Sequence, residues 1–115
     1  MHLTENFSVN EMQCKCRTCC HTCAMDREFM RKLQLVRDDF GEELNVNSGF
    51  RCKVHNFNIG GSLNSWHTKG LASDLTPTNY TPSNQKAKLK RLYSCAKKQF
   101  REVILYKTFV HMADE

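Results

Sequence analysis

At 115 residues the chain suits one domain, 1–115, around a single hydrophobic core. With 40% hydrophobic and 25% charged residues it reads as an ordinary globular protein, and its longest apolar run, Val103-Ile104-Leu105 followed by Tyr106, is far too short to span a membrane. The net charge of +5 gathers between Lys86 and Arg101 without interleaved aromatic residues, which favours a solvated helix face over a nucleic-acid platform, so neither nucleic acid nor membrane is an expected partner.

Residues 1–25 read as irregular apart from a short turn, and Met1 to Asn6 show neither the basic nor the apolar region of a secretory signal, so the expectation is a cytoplasmic product on synthesis. Asp26 is placed to cap a helix running to about Phe40, with Phe29, Leu33, Val36 and Phe40 on one face and Gly41 as its stop. Leu44 to Ser48 alternates as a half-buried strand does. Lys53 to Ile59 reads as a short helix ended by Gly60-Gly61, and Leu71 to Leu75 as a strand in which Asp74 shares a face with Ala72. Thr81 as N-cap with Pro82 behind it starts another helix, striped by Leu89, Leu92, Ala96 and Phe100. Glu102 to Tyr106 and Thr108 to Met112 read as two strands joined tightly near Lys107. Helices and strands do not alternate as βαβ units, so the expected class is α+β: a small, mainly antiparallel sheet with helices packed on it.

Two imidazoles and a carboxylate, His67, Asp74 and His111, form the ligand set of a catalytic zinc site with its fourth position open to water. Taken as bare residues they have other readings: a turn histidine at 67, a cap carboxylate at 74, a core histidine at 111 beside Phe109. A longer pattern surrounds them. Ser48-Gly49-Phe50-Arg51, His55-Asn56, Gly60-Gly61, Asn64-Ser65, His67, Gly70, Ala72 and Asp74 follow in order, and Tyr106 to His111 makes a late strand. This series resembles the zinc D-alanyl-D-alanine carboxypeptidases, in the wider group that includes lysostaphin-type enzymes and the hedgehog domain. Leu3 to Phe7, with Glu11 and Cys14 after it, is similar to the opening of short phage and bacterial members, so the resemblance covers nearly the whole chain.

The resemblance implies a hedgehog-like or DD-peptidase-like fold with one catalytic Zn2+ on His67, Asp74 and His111. It places Arg51 in the substrate site, where a guanidinium can grip a carboxylate or an oxyanion, and Ser65 as a hydrogen-bonding partner of substrate. The implied reaction is hydrolysis of peptidoglycan stem peptides by a metal-activated water, either as a D-Ala-D-Ala carboxypeptidase or as an endolysin-type endopeptidase. The implied setting is a monomer reaching the wall after lysis or release. One departure concerns the acid/base. Relatives carry a carboxylate three residues before the second histidine, where this chain has Thr108, or read H-x-D, where this chain has His111-Met112-Ala113-Asp114. Asp114 is the nearest acid and the expected catalytic group, with Glu115 or Glu102 as substitutes. The alternative is a hedgehog-like, zinc-binding cell-wall module that has lost catalysis.

Cys14, Cys16, Cys19, Cys20 and Cys23 form a Cys-rich segment at 14–23. Four thiolates could close a second, structural zinc site; free thiols are the competing reading, and disulfides would need an oxidising compartment. Cys52 and Cys95 read as small core residues.

Overall fold

A serine with a glutamate three residues on is a capping box, and the computed structural model, which describes residues 2–16, 23–62 and 65–114, has one at Ser8 and Glu11. It starts a single-turn helix, α1 (Val9–Met12), inside the segment whose sequence reads as irregular. Asp26 caps α2 (Arg27–Phe40) through the Phe29 N–H at 2.9 Å, and Gly41 ends it in the left-handed region at φ 78°. The face bearing Phe29, Leu33, Val36 and Phe40 is fully buried. Each such side chain contributes about 1.5–3 kcal/mol relative to exposure.

The strands are β1 (Leu44–Ser48), β2 (Ala72–Pro77), β3 (Glu102–Leu105) and β4 (Val110–Ala113), all antiparallel in the order β1-β2-β4-β3. The α+β expectation therefore holds. Between β1 and β2 lie α3 (Lys53–Asn58) and a 3₁₀ turn (Trp66–Lys69); α4 (Gln85–Lys97) joins β2 to β3. The last helix starts later than Thr81-Pro82 suggests. The Asn84 side-chain oxygen accepts from the Thr81 N–H at 2.7 Å, so residues 81–84 form a turn and regular helix begins at Gln85.

α2 and α4 pack together over one sheet face, where Leu75, Leu92, Val110 and Met112 meet Phe29 and Leu33 in a single core. Among the positive residues between Lys86 and Arg101, Lys88 and Arg91 reach Glu42, and Lys98 reaches Asp39. Among the described residues no helix is long and apolar enough to cross a membrane. The sheet face away from the helices is left to carry the site.

Candidate metal centre and active site

Antiparallel pairing builds this centre row by row. Asp74 on β2 lies directly across from His111 on β4, which lies across from Ile104 on β3. The next row on the same face is Ala72, Ala113 and Glu102. His67 comes from the 3₁₀ turn, whose N-cap is Ser65 and whose end is Gly70 at φ 71°. The turn is clipped to the chain before α3 from two directions. His67 Nδ1 donates to the Gly49 carbonyl at 2.8 Å, and the Arg51 N–H donates to the His67 carbonyl at 3.1 Å.

That first bond settles the tautomer. A carbonyl oxygen can only accept, so Nδ1 carries a proton, and in the neutral ring Nε2 is the nitrogen left to present a lone pair to a metal. His67 is 2% exposed, its Nε2 has no hydrogen-bond partner, and it faces Asp74 Oδ1 at 3.3 Å. A ring nitrogen and a carboxylate oxygen this close and this shielded are bridged either by a proton or by a metal ion. His111 Nδ1 lies 2.8 Å from the same oxygen. Burial alone would push the Asp74 carboxyl up, but contact with His111 and His67 holds it down at about 2, so the carboxylate is ionised at neutral pH. The ligand atoms of His67, Asp74 and His111 all lie within 4.8 Å of one another. With His67 oriented by a backbone carbonyl, this donor set fits zinc.

The cleft over these residues has a volume of about 390 Å³, within the range that takes a small ligand. Arg51, Ser65, Trp66 and Glu102 line it with the three candidate ligands. Arg51 is half-buried; its Nε has no partner and its Nη2 lies 3.5 Å from Ser65 Oγ, so most of its donor fork is uncommitted. The expectations for Arg51 and Ser65 and those for the three ligand candidates thus converge on one cleft.

Asp114 does not join them. One residue beyond Ala113 in an extended chain, it points to the helix side, where its carboxylate meets Lys32 Nζ at 3.0 and 3.2 Å. The expectation of a catalytic Asp114 is therefore corrected: it is an α2 ion-pair partner. Asp114→Asn should leave the zinc content of the protein unchanged and cost no more than about 1 kcal/mol of stability, measured by metal analysis and chemical denaturation.

The acid that does enter the cleft is Glu102. It stands across from Ala113, two residues along β4 from His111 on the same face. Glu102 Oε1 is 3.8 Å from His111 Nε2, and its Oε2 is buried without a hydrogen-bond partner. The sequence offered Glu102 only as a substitute, because strand register decides which residue meets position 113.

The cysteine expectation divides. Cys19 and Cys20 lie outside the described residues. Cys23 packs partly buried against the core and is not grouped with Cys14 and Cys16 among the described residues. Their neighbour is instead Cys52, which is half-buried at the N-cap of α3 and not the core residue expected; Cys95 is buried in the core as expected.

A family model described as Peptidase M15 matches residues 5–113. Over 47 residues the chain is 47% identical to the zinc D-Ala-D-Ala carboxypeptidase of Streptomyces albus G, a match that takes in 40% of this chain and 18% of that protein. The chain thus spans under a fifth of that relative's length. With the family match running from residue 5 through β4, and the cleft assembled from the same span, the chain belongs to the peptidase M15 family.

Proposed function

We propose that the protein is a zinc-dependent peptidase that hydrolyses peptide bonds of peptidoglycan stem peptides. The observation that carries this reading is the buried, unpartnered His67 Nε2 facing Asp74 and His111 at the floor of a cleft that also holds Arg51 and Glu102. Family membership and the name of the Streptomyces relative support the same chemistry. His67, Asp74 and His111 would hold the metal. Zinc bound there supplies Lewis-acid polarisation of the scissile carbonyl and activation of the attacking water.

The chain's own groups then have distinct tasks. Glu102 takes a proton from the water as its oxygen adds to the carbonyl carbon. The same carboxyl gives that proton to the leaving nitrogen as the carbon–nitrogen bond breaks. Arg51, with its fork open to the cleft, pairs with a substrate carboxylate or with the oxyanion, and Ser65 Oγ adds a hydrogen bond beside it. Arg51→Lys keeps the charge and loses the planar fork, so kcat/KM on a stem peptide should fall roughly 10–100-fold with zinc content unchanged. A variant with wild-type kcat/KM would remove Arg51 from the site.

Digestion of purified sacculi tests the function itself. Soluble products should appear with zinc and vanish with chelator. Released D-alanine would mark a carboxypeptidase, and severed stems or cross-links an endolysin-type endopeptidase reaching the wall after lysis or release. The alternative, a zinc-binding cell-wall module without turnover, draws on the missing acid beside His111; Glu102 on the neighbouring strand supplies one. Sacculi that bind the zinc-loaded protein and stay intact would reinstate that alternative.

A further inference from the structure

A second set of metal-ligating side chains adjoins the segment that carries Arg51, whose guanidinium lies near enough to Cys14 to interact with it electrostatically. Met12 ends α1 and its carbonyl accepts from the Phe50 N–H at 2.8 Å, which brings the chain after α1 against the chain before α3. Cys14 and Cys16 follow on one side and Cys52 on the other. Cys14 is fully buried, Cys16 is 7% exposed and Cys52 is half-buried. Their three sulfurs all lie within 4.8 Å of one another, and Cys16 Sγ is 3.7 Å from Cys52 Sγ.

That spacing is informative. A disulfide would bring two sulfurs to about 2.0 Å. A tetrahedral ion with bonds of about 2.3 Å to sulfur holds its ligands about 3.8 Å apart along each edge. The backbone supports thiolates here as well. The Cys52 N–H donates to Cys14 Sγ, and the His55 N–H to Cys52 Sγ, each at 3.3 Å. Hydrogen bonds of this kind orient sulfur ligands and stabilise their charge. Lys15, between the two N-terminal cysteines, turns away and donates to the Val46 carbonyl at 2.9 Å, so its ammonium does not fill the space.

We propose that Cys14, Cys16 and Cys52 bind a soft divalent cation of the zinc class, with ligands other than those of the His67–Asp74–His111 centre, which ties the N-terminal segment to the loop bearing Arg51. The ligand set takes two residues from one segment and one from another, so binding would cross-link those two segments. The inference does not depend on the peptidase reading, because it concerns different side chains and needs no turnover.

Two measurements on the full chain test it. In wild-type protein, Cys14, Cys16 and Cys52 should alkylate roughly tenfold or more slowly with zinc than after chelation, mapped by peptide mass spectrometry. Equal rates at all three with and without zinc would overturn the site. Cobalt(II) supplies the second measurement, since thiolate ligands give a sulfur-to-cobalt charge-transfer band. The band should be present in wild type and in His67→Ala, and lost in Cys16→Ser and Cys52→Ser. A band absent from wild type, or unchanged in both cysteine variants, would also overturn it. Because alkylation is read on the unmutated chain, misfolding of a variant cannot decide the outcome.

Discussion

Replacing Glu102 by glutamine should lower peptidase turnover by roughly 10²–10⁴-fold, about 3–5 kcal/mol of barrier, while the zinc content of the protein stays the same. The substitution keeps the shape of the side chain and removes its ability to exchange a proton. Glu102 reaches the cleft from β3, next to the strand that carries His111, and one of its oxygens is buried without a partner. A carboxylate 3.8 Å from His111 Nε2 could also act by orienting that ring. The two roles separate in the assay. A merely orienting Glu102 would show weakened zinc affinity and near-normal turnover at saturating zinc. A general base gives a loss that added zinc does not restore, together with loss of the acidic limb of the pH–rate profile. Wild-type turnover together with wild-type zinc affinity in Glu102→Gln would exclude both roles.

Gly70→Ala should be the most damaging single-methyl change in the site region. Gly70 sits at φ 71°, where an L side chain costs roughly 1–2 kcal/mol. An added Cβ would also run into the Ala24 carbonyl oxygen, a backbone atom held in place because the next-but-one amide, Asp26 N–H, donates to the Gly70 carbonyl at 2.9 Å. Strain and collision together should cost about 3 kcal/mol or more, a drop in Tm on the order of 10 °C. Gly41→Ala is the matched control. Its φ of 78° is equally left-handed, but no atom of the described residues lies within 4 Å of the new Cβ. It should lose only about 1 kcal/mol. Equal losses in the two variants, by thermal or urea denaturation, would show that the contact with Ala24 contributes nothing.

Elements governed by local periodicity were legible in the sequence. The α2 stripe and the alternation of β1 are printed in consecutive residues, and both elements occupy the expected spans. His67, Asp74 and His111 were legible because their motifs are long, and the β2–β4 pairing and the 3₁₀ turn bring them together. The acid was not, and the reason is register. With Leu105 across from Val110, the β3–β4 hairpin is centred between Lys107 and Thr108. Centring it on Lys107 would instead set Arg101 against Ala113, and in a strand a one-residue slip reverses every face. The backbone hydrogen bond from Tyr106 to Phe109 and the stacked rings of those residues, 4.6 Å apart, hold the observed register. Cys52 was misplaced for a related reason. Its meeting with Cys14 and Cys16 depends on a contact between segments some 36 residues apart, which no local pattern encodes.

β4 follows β1, β2 and β3 in the sequence and yet is an inner strand, flanked by β2 and β3. Ribosomal synthesis delivers the chain from its N-terminus, so β1, β2, α4 and β3 exist before the strand that must lie between β2 and β3. Until then β2 and β3 each present an unpaired edge, and the third ligand of the centre has not been made. Sheet closure and competence to bind zinc in the cleft therefore arrive together, late, and through pairings distant in sequence. A nascent chain stopping before Val110 would hold neither a continuous sheet nor the complete set of candidate ligands, which ties the proposed zinc chemistry to completion of this strand.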